Sequence, residues 1–200
     1  MGCAPSAAGT GVPFVDLQRD TSRTHDAKGM QLRICDAAMD GAFLINMPVL
    51  KGHCQTHVTC ALKNAKSVIP SAEKRRFHTL GLHKPIAHLN TVVRWGFILV
   101  DNICGDLDFE EGGNPVTMNR ILGCLDPVLC DSFVCQTMGY EILEVPYIGL
   151  AERLGVGSSD LSKAKIIALN DGVAAGQKST RRIAALEAYA APDAACSACY

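Results

Sequence analysis

A chain of 200 residues with 48% hydrophobic and 20% charged side chains is long enough to bury a core and too apolar to be disordered. Its formal net charge of −1 excludes a global field for nucleic acid or an anionic membrane, so neither is an expected partner. Apolar runs such as Phe97–Val100 are far shorter than a bilayer span requires.

In chain order, Val12–Leu17 has the β-branched and aromatic content of a strand, and Gln31–Cys35 alternates like a half-exposed or edge strand. Phe43–Met47 is a short apolar run stopped by Pro48, as in a buried parallel strand. From His53 to about Ile69, Val58, Ala61, Leu62, Ala65 and Ile69 recur at helical spacing, and Pro70-Ser71 ends the pattern. Pro85 is placed to open a second helix with Ile86, Leu89, Val92 and Val93. Gly96–Asp101 reads as the clearest buried strand, Asn102–Pro115 as a long acidic loop, and Met118–Gly123 as another strand. Asp126-Pro127 is a capped helix start, with Gly139 as its stop. Val145–Leu154 reads as a helix, Lys165–Leu169 as a last strand and Thr180–Tyr189 as a terminal helix.

Strands alternating with helices predict an α/β fold: a layered, largely parallel or mixed sheet with helices on both faces. Residues 12–170 form the domain, between a tail at 1–11 and a C-terminal helix and Cys-x-x-Cys tail at 171–200. The first and last strands lack neighbours in the sequence. The domain is therefore expected to be incomplete at both termini, with missing chain segments or a homo-oligomer completing it.

Ten cysteines lie in apolar segments without a basic-then-apolar leader, which predicts reduced thiols and a cytoplasmic location. At about 100° per residue, Cys54 and Cys60, and Cys130 and Cys135, fall on different helical faces, so no internal disulfide is expected.

Ligands in open α/β sheets gather at the carboxyl ends of strands. On a helix, His53, His57, Cys60 and Asn64 would line one stripe, suited either to a divalent metal or to a polar wall. Lys51 and Lys63 would add positive charge for an anion. Asp101, ending a buried strand, would need a partner or a metal. The later acids Asp106, Asp108, Glu110 and Glu111 read as a solvated turn. Asp126 reads as a helix cap, and Asp131 is an acid inside an apolar helix. His78 and His83 lie in a turn-like segment where imidazole could serve as acid, base or ligand. Cys196 and Cys199 are half a metal knuckle or half a redox pair.

Pro48-Val49-Leu50-Lys51-Gly52-His53 and Thr59-Cys60-Ala61-Leu62-Lys63-Asn64 resemble the family known as domain of unknown function 362. The likeness continues through His78, the strand ending at Asp101, Glu111-Gly112-Gly113-Asn114-Pro115, and Asp126-Pro127 with Asp131. It covers most of residues 12 to 170. The resemblance implies an α/β fold without an established reaction, in which many members carry ferredoxin-like cysteine clusters for 4Fe–4S centres. That cysteine pattern is absent here apart from Cys196-x-x-Cys199.

Together these readings make His53, Lys63, Asn64, His78 and Asp101 catalytic candidates. Lys51, Thr59 and Asp131 are ligand-binding candidates, and His53, His57, Cys60, Cys196 and Cys199 are metal candidates. The function expected first is a metal- or iron–sulfur-associated redox enzyme, with its site between the His53 helix and the end of the Asp101 strand. The alternative is a metal-free enzyme or binding protein for a small anionic ligand. A small-molecule substrate or redox partner is left open, and so is the reaction.

Overall fold

The structure, a computed structural model, describes residues 8–110 and 112–169. Strands β1 (Ser22–Ala27) and β2 (Met30–Cys35) form an antiparallel hairpin. Its two-residue turn, Lys28-Gly29, has φ of 49° and 88°, which suits the right-handed twist of the flanking strands. Leu32, Ile34 and Cys35 are fully buried, so β2 turns one face to the core. A short helix α1 (Asp36–Met39) follows.

Strand β3 (Ile45–Asn46) runs parallel to β6 (Phe97–Asp106), which pairs antiparallel with β7 (Pro115–Cys124). This makes a mixed three-stranded sheet in the order β3-β6-β7. Strands β4 (Lys51–His53) and β5 (His57–Thr59) form a second hairpin. Helix α2 (Ala61–Asn64), a 3-10 turn (Ala65–Val68), α3 (Ser71–Leu80) and α4 (His83–Leu89) come next. After the sheet come α5 (Pro127–Thr137), a 3-10 turn (Ile142–Glu144), α6 (Pro146–Arg153) and a final 3-10 turn (Leu161–Lys163). The chain is an α/β fold.

Its core joins both layers: Leu50, Leu62, Ile69, Phe77, Ile86, Ile98, Val134, Tyr147 and Ile148 are all fully buried. On β6, Ile98, Val100 and Asn102 point inward. On the opposite face Ile45 and Ile121 are 53% and 62% exposed, so the described residues leave that side of the sheet open.

Five expectations change. The helix over 53–69 is a β-hairpin followed by a short helix and a 3-10 turn. The β-branched run at Thr56, Val58 and Thr59 favours extended backbone. The ring of His53 also takes up the Gln55 and Thr56 N–H groups at 3.1 and 3.2 Å, groups a helix would have used. Val58, Ala61, Leu62, Ala65 and Ile69 are buried all the same, because burial alone does not distinguish the two conformations. Val12–Leu17 and Lys165–Leu169 are not strands; Phe14, Val15, Ile166 and Ile167 are exposed. The acidic loop is shorter than expected, since β6 continues to Asp106 and β7 begins at Pro115. Pro85 lies at the third residue of α4 rather than the first. Thr180–Tyr189, Cys196 and Cys199 lie outside the described residues.

The Asp126 expectation holds. Its carboxylate accepts from Val128 and Leu129 N–H at 2.8 and 3.1 Å, with Pro127 opening α5. The other oxygen accepts from Ser158 N–H at 2.8 Å, tying the later chain to this helix start.

Candidate functional site

Three cationic or potentially cationic side chains meet at one carboxylate, that of Glu110. Lys51 Nζ lies 3.4 Å and Lys63 Nζ 3.2 Å from Glu110 Oε1, and His53 Nε2 lies 2.8 Å from Oε2. The Glu110, Lys63 and His53 side chains are 7%, 5% and 0% exposed, so these charges interact through a poorly screening interior. Lys51, at 29%, forms the open side.

The hairpin sets the chemistry of His53. Nδ1 accepts two backbone N–H bonds, which requires Nδ1 to lack a proton and places the neutral ring's proton on Nε2, facing Glu110. The 2.8 Å approach is close, but it departs from the linear geometry of a strong hydrogen bond. With both nitrogens engaged, His53 orients Glu110 rather than acting as a free base. Lys63 also donates to Thr59 Oγ1 at 3.1 Å, which fixes its ammonium between β5 and the acidic loop.

His78 extends the cluster from α3. Its Nε2 lies 3.2 Å from Lys66 Nζ and its Nδ1 3.2 Å from Gln55 Oε1. An ammonium only donates and an amide oxygen only accepts, so Nε2 is the acceptor and Nδ1 carries the proton. Burial, and then the neighbouring Lys66, His53 and Lys63 charges, hold the His78 pKa below its ordinary value, with Glu110 opposing. The imidazole is therefore neutral and within the field of the same lysines.

Two glycines allow the acidic loop to reach this place. A Cβ on Gly52 of β4 would lie 2.5 Å from the Leu107 carbonyl oxygen, and one on Gly105 of β6 would lie 2.4 Å from the Leu50 carbonyl oxygen. Only glycine permits both approaches. Asp106 then closes the loop by accepting from Asp108, Phe109 and Asn114 N–H at 2.7–2.9 Å.

A second polar cluster shares the segment around α2. Asp131 on α5 is fully buried and accepts from Ala61 and Leu62 N–H at 2.8 and 3.2 Å. Burial raises its pKa to about 7 against the pull of those two bonds. The Cys60 thiol lies beside it, itself raised by burial. Cys130 bridges between Cys60 and Cys124, and its contact, followed by burial, raises Cys124. Among the described residues, Cys60, Cys130 and Asp131 are the group of three metal-type donors whose ligand atoms lie within 4.8 Å of one another.

The structure thus gathers Lys51, His53, Thr59, Lys63 and His78, and separates the other candidates from them. His57 packs on Tyr140 with ring centroids 4.9 Å apart. It does not share a stripe with His53 and Cys60, because the segment is not helical there. Asn64 donates to Asn46 Oδ1 at 2.7 Å while Asn46 donates to the Ala61 carbonyl at 2.8 Å, so this pair clasps α2 to β3. Asp101 corrects the expectation of a buried carboxylate facing His53. It lies on the exposed face of β6, opposite Ile121, and accepts from Ile103 N–H at 3.1 Å. The strand's alternation turns Asn102 inward instead, 1% exposed with neither amide atom satisfied.

Sequence reasoning missed Lys66 and Gln55 and misread Glu110 as part of a solvated turn. Glu110 gave no local signal, since an acid in a glycine-rich loop looks solvated; the pair Gly52 and Gly105 was the available hint. A separate surface depression of about 190 Å³, walled by Asn90, Arg94, Trp95, Leu125 and Leu154 among others, includes no residue of either cluster.

Iron–sulfur chemistry can be tested against these donors. A 4Fe–4S centre takes four thiolates spread around a core of iron and sulfide. Donor atoms within 4.8 Å of one another close on a single ion and leave no room for that core. Cys60 and Cys130 with Asp131 therefore do not fit such a cluster.

No helix among the described residues is long and apolar enough to cross a membrane. No solved structure matches the chain. Thylakoid-associated protein sll1697 of Synechocystis is 24% identical over 169 residues, a match covering 78% of this chain and 50% of the relative. The chain thus spans half the length of that curated relative. The family pattern described as Domain of unknown function (DUF362) matches residues 1–136, and the chain belongs to this family.

Proposed function

We propose that this domain binds a small anionic ligand, one bearing a carboxylate or phosphate, at the cluster of Lys51, Lys63, Lys66 and His78. The observation that carries the reading is the convergence of Lys51, His53 and Lys63 on the single Glu110 carboxylate in a largely desolvated place. Such a set of donors recognises an oxyanion by charge-assisted hydrogen bonds. Glu110 occupies the position an oxyanion would take, and His53 and Thr59 hold it and Lys63 in register. If the domain is an enzyme, Glu110 is the group placed to move a proton to or from the bound ligand.

Isothermal titration with inorganic phosphate and with a dicarboxylate such as malonate tests this. Lys63→Met should weaken binding about 10-fold or more, the loss of one charge-assisted bond. Glu110→Gln should strengthen it by removing the competing carboxylate. Binding indifferent to both substitutions in folded protein refutes the reading.

The metal-associated redox reading stands second, favoured by Cys60, Cys130 and Asp131. The free thiols among the described residues, set in apolar segments, support a cytoplasmic location; the thylakoid association belongs to the relative's name.

A further inference from the structure

We propose that Cys60, Cys124, Cys130 and Asp131 hold one zinc(II) ion that staples the β5–α2 segment to the β7–α5 junction. Cys60 Sγ, Cys130 Sγ and a carboxylate oxygen of Asp131 already lie within 4.8 Å of one another. Zinc bonds of about 2.3 Å to sulfur place thiolates ~3.8 Å apart on a tetrahedral edge, so closing on the ion takes a contraction of ~1 Å at most. Cys124, outside that group of three, contacts Cys130 and donates to the Asp126 carbonyl at 3.2 Å, and supplies the fourth donor by turning its thiol from that carbonyl to the ion. It is also the partly exposed member, which gives the ion a way in. The two backbone N–H bonds to Asp131 orient its carboxylate, as the outer shell of a metal site does, and each oxygen keeps a further lone pair.

The binding step balances without redox change. Three thiols and the Asp131 carboxyl, where burial keeps it protonated, lose their protons to solvent, four bonds form to the ion, and three thiolates with one carboxylate leave the site at a net charge of −2, as in a four-cysteine zinc site. None of the described cysteines is in a disulfide. The proposal is independent of the anion reading, with which it shares no ligand residue.

The test uses the full chain, reduced, with Cys196→Ser and Cys199→Ser removing the terminal pair. Zinc titrated against a chromophoric chelator should bind at one ion per chain, and cobalt(II) should give a thiolate charge-transfer band. Cys130→Ser should lose about 10-fold or more in affinity, while Cys104→Ser should lose none. Zinc should slow maleimide labelling of Cys60, Cys124 and Cys130 but not of Cys54 and Cys104, which are exposed. That measurement on unsubstituted ligands decides the matter if Cys130→Ser fails to fold. Labelling of the three unchanged by zinc, or affinity in Cys60→Ser and Cys130→Ser equal to the parent's, overturns the proposal.

Discussion

Two polar clusters share the stretch from Thr59 to Lys63 yet are stabilised by different means. In the first, Lys51 and Lys63 keep charge beside Glu110, with the His53 ring against its other oxygen, and one edge reaches solvent through Lys51. In the second, Asp131 and the Cys60 and Cys130 thiols are buried, and burial favours the neutral forms of Asp131 and Cys60. The contrast shows what a few ångströms of burial do to similar residue types. A cluster with opposite charges and an open side keeps its ions, whereas a sealed cluster of like-signed acids gives up its charge or needs a metal.

The largest effect should come from breaking the sealed cluster. Asp131→Ala strands the Ala61 and Leu62 N–H groups in the interior, at roughly 1–3 kcal/mol for each lost partner. Urea melts should show a loss of several kcal/mol, and a change below 1 kcal/mol would mean that α2 finds other partners. Removing Glu110 should cost somewhat less. Glu110→Ala leaves Lys51 and Lys63 facing each other without their carboxylate, while Lys51 can still turn to water. A loss of about 1–3 kcal/mol is expected, partly restored by added phosphate. Stabilisation without phosphate would contradict the ion-pair geometry.

A smaller change at the start of α5 should separate the two clusters. Asp126→Ala removes the cap on the helix that carries Cys130 and Asp131, for about 1–2 kcal/mol. It should quicken thiol labelling of Cys130 and leave anion binding unchanged. Equal disturbance of both would show that they act as one unit.

The subtlest distinction lies in pH. The Asp131 pKa is raised from 3.8 to about 7. The folded state therefore binds more protons than the unfolded state between these values, and this contribution to stability is full below pH 3.8 and lost as pH rises to about 7. The His78 pKa is lowered from 6.5. Its contribution is present above pH 6.5 and lost as pH falls through the depressed value. Acidification from neutrality should thus favour the sealed cluster and disfavour the cationic one. Stability curves from pH 5 to 8 for Asp131→Asn and His78→Gln should diverge in opposite directions from the parent. Parallel curves would sink the assignment.

Much of this was legible in the sequence where local chemistry suffices. The cap and proline at Asp126-Pro127 mark α5 because they satisfy helix N–H groups within one turn. The apolar run Phe97–Val100 marks β6, and the alternation from Gln31 to Cys35 marks β2, since each encodes burial on a face. Lys51, His53, Thr59, Lys63 and His78 were singled out as candidates in the sequence, and the structure brings them together. The conformation of 53–60 was missed: its apolar spacing fits a helix, whereas the pairing of β4 with β5, the His53 ring bonds and the packing of β4 on β6 select the hairpin. Tertiary structure alone likewise decided that Glu110 enters the cluster while Asp101 faces outward. Those positions depend on two backbones approaching at Gly52 and Gly105 and on the register of β6 with β7, contacts between segments far apart in the chain that no local pattern of residues encodes.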